Sequence, residues 1–307
     1  MKSVTIRAPS TIANFGPGFD IFALALEHPY IELKMGLTET RSIAISLDGC
    51  REDMPDDPEK NCAGLALMEM LKRTKSNTGV LVQPLKTIRV GAGLGSSGAC
   101  ASASVYGLNR LLQLNLGSDQ MIEIASQGEI ASGSVAHADN VAGAMLGGFV
   151  IVKSYNPISV LRMDVPDVPI VIGVMRKTQR TTRSFIPKAM DLSLVKEQLS
   201  MCSLVIHAIL SGDVEELGKA INKDHISEPV RSQSIPGYGK IKKKLLDCGA
   251  LGCNVSGGGL SIFAICNQSR VQDVAEVMKD SFADESVDSE IIVTRSSNQG
   301  AQVVPSD

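Results

Sequence analysis

The sequence contains no tryptophan, and aromatic residues make up only 4% of its 307 positions. It also lacks a basic excess, with 30 Lys and Arg against 33 Asp and Glu and a net charge of −3. Nucleic-acid binders present a basic face or rings on which bases stack, so nucleic acid is not an expected partner. Long hydrophobic runs are missing as well. Two long uncharged stretches, 90–109 and 248–269, are rich in Gly, Ser, Ala and Asn rather than in the roughly 20 apolar residues of a spanning helix. The first seven residues, Met1-Lys2-Ser3-Val4-Thr5-Ile6-Arg7, alternate like a strand and lack the apolar core of a signal peptide. The seven cysteines (50, 62, 100, 202, 248, 253 and 266) are odd in number, scattered and without a CxxC pair. That pattern argues against a disulfide framework or a zinc site and suits reduced thiols in a cytoplasmic protein.

Hydrophobic residues at 44% and charged residues at 21% suffice for a folded core. At about 150 residues per domain, the length predicts two domains. Strand-like alternation opens the chain at 4–8 and recurs near 30–35, 42–47, 78–82 and 87–90. Helical patterning covers 62–73, then small residues up to about 112, then 118–133. The run 144–152 reads as a strand started by glycine. Composition shifts near Tyr155-Asn156-Pro157, which divides the chain into expected domains 1–155 and 156–307. The second half offers strands near 160–163, 170–175, 252–266 (interrupted by glycines), 290–294 and 301–304, and helices near 193–210, 214 onward, 239–246 and 271–283. Strands and helices interleave throughout, which predicts an α+β or α/β class.

The most informative local signal is Gly91-Ala92-Gly93-Leu94-Gly95-Ser96-Ser97-Gly98, set between a predicted strand and a predicted helix. Glycines allow close backbone approach to an anion, and a helix start offers unpaired N–H groups and the positive end of its dipole. No Lys-Ser/Thr pair closes the loop, so it is not a Walker A motif. Gly93, Gly95 and Gly98 also satisfy the dinucleotide pattern, but a helix is predicted where that reading needs a second strand with a terminal acid.

Further polar residues sit among small ones. Asn14 and Asp20 flank Gly16-Pro17-Gly18, in a loop suited either to gripping an ammonium or hydroxyl group or to satisfying its own backbone donors. Glu129 near the glycine loop suits a magnesium ion, which takes one or two protein carboxylates, or is an exposed helix carboxylate. His137-Ala138-Asp139-Asn140 reads as a polar substrate wall or a helix-start cluster. Arg183 and Arg231 lie in segments suited to clamping a carboxylate or phosphate, or to surface ion pairs. Lys240 and Lys242–Lys244 read as a solvated helix face.

Taken together these stretches resemble one family. The segment 91–99 is similar to the phosphate loop of the GHMP small-molecule kinases, and Ala8-Pro9-Ser10-Thr11-Ile12-Ala13-Asn14-Phe15-Gly16-Pro17-Gly18-Phe19-Asp20 resembles the opening motif of the homoserine kinases among them. So do Gly128-Glu129-Ile130-Ala131-Ser132, His137-Ala138-Asp139-Asn140, Arg183-Ser184-Phe185-Ile186-Pro187, Glu228-Pro229-Val230-Arg231 and Ile235-Pro236-Gly237-Tyr238, in order from about residue 4 to 304.

The resemblance implies an N-terminal domain like ribosomal protein S5 domain 2, a ferredoxin-like C-terminal domain, and transfer of phosphate from ATP to L-homoserine on the route to threonine. It implies that Arg89, Val90, Gly91, Ala92, Gly93, Leu94, Gly95, Ser96, Ser97, Gly98 and Ala99 hold ATP, with Asn61 near the adenine. Ser97 and Glu129 are then the Mg2+ ligands. Asn14, Asp20, His137 and Asp139 surround the amino and hydroxyl ends of homoserine, and Arg183 and Arg231 clamp its carboxylate. Asn14, Asp139 and Asn140 are the residues placed closest to catalysis. Asn140 stands where several relatives carry an Asp base, and an amide takes no proton, so alignment and electrostatic stabilisation are the expected devices. The chain departs from the family at Gln179, where a Thr is usual, at Leu260, where Pro is usual, and in lacking Pro just before the phosphate loop. A kinase for another small alcohol and a non-catalytic ligand-binding relative are the alternatives. The oligomeric state is left open, a homodimer included.

Overall fold

A computed structural model describes residues 3–48, 50, 54–131, 136–176, 186–258 and 261–305. The hairpin of β1 (Ser3–Ala13) and β2 (Phe22–Thr38) starts the larger sheet, pairing Ile6 with Leu33 and Ala8 with Ile31. The period of two places these apolar side chains on one face, where they are fully or almost fully buried. β4 (Gly79–Lys86) pairs with β2, and the short β3 (Ile43–Ile45) runs parallel to β4. β5 (Phe149–Tyr155) pairs with the start of β2 and with β6 (Ile158–Met163), and β11 (Gln302–Val304) returns to β1. Seven strands result among the described residues.

Four helices pack together with this sheet: α1 (Cys62–Thr74), α2 (Ser96–Leu112), α3 (Ser118–Ser126) and α4 (Asp139–Leu146). The small residues of α2 let it lie close to the strands. A Cβ on Gly107 would come within 2.4 Å of Met35 Sδ and 3.0 Å of Ile6 Cγ1.

The second sheet has the order β10 (Ser289–Arg295), β7 (Pro169–Met175), β9 (Ser261–Cys266), β8 (Ala250–Ser256), all antiparallel. In chain order that is 4-1-3-2. Helices α5 (Leu192–Ser211), α6 (Val214–Ile221), α7 (Glu228–Arg231) and α8 (Tyr238–Asp247) lie between its first two strands, and α9 (Val271–Asp284) lies between the last two. This is the split βαβ arrangement of a ferredoxin-like unit, as expected. Phe15, from the loop after β1, stacks on Phe263 of β9 with ring centres 5.5 Å apart and meets Phe149 of β5 edge-on at 6.0 Å. One apolar core therefore runs through both sheets.

Several sequence expectations are corrected. Residues 87–90 form no strand. The run 144–152 is not one strand: α4 occupies its start, and Gly147 and Gly148, both at φ +70°, turn the chain into β5. From Val141 to Met145 every residue of α4 is buried and apolar or small, so there period could not separate helix from strand. The helix expected over 118–133 ends at Ser126 and continues as a 3-10 turn, Gln127–Ala131. Residue 155 lies at the turn of the β5–β6 hairpin, and both of its strands belong to the larger sheet.

Among the described residues α5 alone is long and apolar enough to cross a membrane by length and composition. Its inner face is nevertheless committed to the fold. Val205, Ala208 and Ile209 are buried, and Gln198 Nε2 donates to the Pro17 carbonyl at 2.6 Å.

α6 is pinned tightly to β8. Asn254 Nδ2 donates to the Ile221 carbonyl at 2.8 Å, and a Cβ on Gly252 would lie 2.2 Å from the Gly218 carbonyl oxygen. A methyl group there must push backbone from backbone. Gly252→Ala is expected to lower the free energy of urea unfolding by about 2–3 kcal/mol.

Candidate active site

The glycine loop leads from the end of the β4 segment into α2. Gly91, Gly93 and Gly95 all have positive φ (80°, 76° and 66°), with Gly95 as the N-cap residue of α2. Three successive carbonyls of this loop are held from outside it. Ser261 Oγ donates to Ala92 O, Ser256 Oγ donates to Gly93 O at 2.8 Å, and the Thr11 amide donates to Leu94 O at 3.1 Å. In a trans peptide the N–H points opposite to its C=O. The N–H groups of Gly93, Leu94 and Gly95 are thereby turned away from these partners, beside the positive end of a 17-residue helix. Backbone donors in that arrangement suit an anion.

Two of those hydroxyls come from the β8–β9 hairpin of the second sheet. The hairpin turn fits closely, since a Cβ on Gly257 (φ +51°) would lie 2.8 Å from Gly93 O. Arg231 Nη1 donates to Gly257 O, tying α7 to the same turn.

Beside α2, the 3-10 turn buries Glu129, which is 6% exposed. Burial raises its carboxyl to about 7, the Ser97 hydroxyl bonded to it lowers it, and the nearby Asp139 charge raises it. Asp139, buried at the start of α4, is raised to about 6 by burial and by the Asp20 charge, while the amide of Asn140 and the charge of Arg231 pull it down. His137 Nδ1 lies 3.8 Å from Asp20 Oδ1. Asp20, His137, Asp139 and Arg231, drawn from three segments, therefore meet at one place. Asn140 stands over the glycine loop: a Cβ on Gly98 would be 3.0 Å from Asn140 Cβ.

The opening loop is built by local strain. Asn14, Phe15 and Asp20 have φ of 66°, 36° and 58°. Asn14 Oδ1 accepts from the Asp20 amide at 3.0 Å, so the side-chain oxygen closes the loop. The loop rests on α6, where a Cβ on Gly16 would lie 2.7 Å from Ile221 Cα. Tyr155 OH donates to the Asp20 carbonyl at 2.5 Å.

Other expected residues fare differently. Asn61 caps α1, accepting from the Ala63 amide at 2.9 Å and donating to Pro55 O at 2.7 Å. Its helix start abuts the Glu129 turn, where a Cβ on Gly128 would be 2.5 Å from Cys62 O. Arg89 Nη2 donates to the Arg176 carbonyl at 2.8 Å, and Val90 is exposed. Arg183 and Gln179 lie outside the described residues.

Lys242 corrects the reading of a solvated basic face. It is largely buried, pairs with Glu228 and donates to Asn222 O at 2.8 Å. Tyr238 OH also donates to Glu228 Oε1, at 2.5 Å. Sequence reasoning missed Asp224, a buried carboxylate that accepts from the amides of Ile226 (2.8 Å), Ser227 (3.1 Å) and Glu228 (2.9 Å). No capping-box spacing marks Asp224, since Ser227 rather than Glu or Gln stands three residues after it. Ser256 and Ser261, flanking the last glycine run, were visible as a motif but not as clamps. The pair Glu228–Lys242 and the cap Asp224 together fix α7, and with it Arg231.

This loop, with its clamps and its neighbouring buried carboxylates, defines a class. The family model for the GHMP kinases N terminal domain matches residues 61–148, and that for the GHMP kinases C terminal matches 205–284. The fold alone extends to L. major mevalonate kinase, 15% identical over 98% of this chain and 97% of that one, with a TM-score of 0.72. The chain is a GHMP kinase in fold. It is 35% identical to a homoserine kinase of Methanococcus vannielii over 91% of this chain and 93% of that one. It is 34% identical, with a TM-score of 0.90, to the crystal structure of homoserine kinase from Cytophaga hutchinsonii, over 99% and 98% of the two chains. Within the class, the chain belongs to the homoserine kinase family.

Two predictions follow from the buried charges. A carboxyl with a raised folded-state pKa adds stability below its unfolded value near 4.5, and that contribution disappears as pH rises through about 7. Without ligands, Glu129→Gln is therefore expected to match the wild type in urea unfolding near pH 4.5 and to exceed it by up to about 3 kcal/mol above pH 7.5. Lys242→Met leaves Glu228 without its cation, with an expected loss of about 2–4 kcal/mol. Lys242→Met combined with Glu228→Gln is expected to recover most of that loss in the same urea titration.

Proposed function

We propose that this chain transfers the γ-phosphoryl group of ATP to the primary hydroxyl of L-homoserine, acting as an ATP:L-homoserine O-phosphotransferase in threonine biosynthesis. The observation that carries the reading is the meeting of an anion nest with a mixed-charge cluster. Homoserine is a zwitterion with a hydroxyl, and it needs anionic, cationic and neutral partners at separate points. Asp20 and Asp139 suit its ammonium, Arg231 its carboxylate, and Asn14 and His137 add further hydrogen-bonding groups. Arg183 is assigned to the carboxylate on the family motif alone.

The amides of Gly93, Leu94 and Gly95 and the dipole of α2 hold the phosphate chain. The hydroxyl oxygen attacks the γ-phosphorus, the bond from that phosphorus to the β–γ bridging oxygen breaks, and ADP leaves. Asn140 cannot take the hydroxyl proton, which passes to a phosphoryl oxygen or to water. Catalysis then rests on alignment and on donors aimed at developing charge.

Magnesium fits the donor set, although among the described residues no group of three or more His, Cys, Asp or Glu is arranged to hold a metal. Glu129 and the Ser97 hydroxyl are hard oxygen donors, and a cation offsets the burial that raises Glu129. Magnesium keeps only one or two protein carboxylates and draws its other ligands from phosphate and water. When bound it neutralises phosphate charge.

We assign the nucleotide domain to the larger sheet with its helices and the second domain to the four-stranded sheet, and place the protein in the cytoplasm. β6, which ends at Met163, pairs in the larger sheet, and β7, which starts at Pro169, pairs in the second.

The test is ADP release with ATP and magnesium over homoserine, mevalonate, galactose, shikimate, threonine and serine. Turnover of homoserine well above the rest is expected. Preference for another alcohol overturns the substrate assignment. Thermal stabilisation by homoserine with no phosphate transfer identifies a binding relative instead.

A further inference from the structure

Thr11 lies where β1 breaks register with β2, the shift falling between Pro9 and Thr11. A bulge of this kind re-aims the side chain beside it. The Thr11 side chain is fully buried and is held on two sides by glycines. On its methyl side, a Cβ on Gly143 of α4 would lie 2.9 Å from Thr11 Cγ2. On its hydroxyl side, a Cβ on Gly95 would lie 2.2 Å from Thr11 Oγ1 and 2.7 Å from Asn140 Oδ1. The two glycines thus leave open the space in which Thr11 Oγ1 donates to Asn140 Oδ1, at 2.7 Å. The amide of the same residue holds the carbonyl of Leu94 in the phosphate loop. One strand residue therefore fixes both the nest and the side chain that stands over it.

A carboxamide has an accepting end and a donating end on opposite sides of Cγ. With its oxygen taken by Thr11, Asn140 turns its NH2 away from β1. The opposite orientation would set an acceptor oxygen against the oxygens of an anionic phosphoryl group. We propose that Thr11 is a positioning residue, which orients Asn140 so that its Nδ2 donor, not its oxygen, faces the phosphoryl group in transfer. This rests on the kinase reading above. It also gives a reason for an amide here: a carboxylate accepting from Thr11 would place a negative charge beside the phosphoryl group.

The test is a double-mutant cycle on kcat and KM with ATP, magnesium and homoserine. Loss of one oriented hydrogen bond in Thr11→Val is expected to lower kcat about ten-fold with both KM values changed less than about two-fold. Thr11→Ser, which keeps the hydroxyl, is expected to retain most of kcat, and it carries the test if the valine variant does not fold. Asn140→Ala should lose more than Thr11→Val, and adding Thr11→Val to it should change nothing further, because nothing is left to orient. Asn140→Asp should fall at least as far as Asn140→Ala. Additive losses, a loss of kcat in Thr11→Ser equal to that of Thr11→Val, a change confined to the KM for ATP, or an active Asn140→Asp variant would each overturn the proposal. If another alcohol proves to be the substrate, the homoserine assignment fails, and the same cycle run with that alcohol decides the role of Thr11. If no alcohol is phosphorylated, both fall.

Discussion

Three consecutive carbonyls, those of Ala92, Gly93 and Leu94, must point outward for the phosphate loop to present its N–H groups inward. A glycine loop cannot hold that arrangement by itself, since the freedom that lets Gly91, Gly93 and Gly95 adopt positive φ also lets them leave it. The hydroxyls of Ser256 and Ser261 and the amide of Thr11 supply the constraint. Two of the three come from the second sheet. The glycine loop of the larger sheet is thus held in shape by side chains of the other sheet.

That dependence explains why the junction between the sheets is so heavily built. Phe15 stacks on Phe263 and abuts Phe149, so one aromatic side chain of the substrate loop joins both sheets. The same loop lies on α6, which lies on β8, the strand that carries Ser256. The second sheet therefore contacts both the Asn14–Asp20 loop and the glycine loop. Asp224 and the Glu228–Lys242 pair serve the same end from behind, holding α7 so that Arg231 reaches the hairpin turn. The buried carboxyls of Glu129 and Asp139 are the counterpart, since a fold that places acids this deep leaves their charge to be met by a ligand.

The glycine loop, the Asn14 and Asp20 segment and the His137–Asn140 stretch were legible because each breaks the apolar periodicity around it with residues that suit no core. The body of helix α4 was not, since the buried run Val141–Met145 has no polar face and carries no phase. Lys242 was misread because a lysine among lysines looks solvated, and only the fold brings Glu228, fourteen residues earlier, against it. Thr11 was legible only as one residue of the opening motif, and its own part emerges with the register shift beside it.

Local physics in the sequence determined the helix start behind the glycines, the left-handed turns, the alternation of β1 and β2, and the absence of a disulfide or Walker-type solution. These depend on neighbours in the chain, whose spacing is written in residue order. The tertiary structure decided which carbonyls are clamped, which way Asn140 faces, and which carboxyls are driven up by burial. Those properties arise between residues 26 to 169 positions apart, where hydrogen-bond direction and loss of water depend on packing that no local pattern encodes.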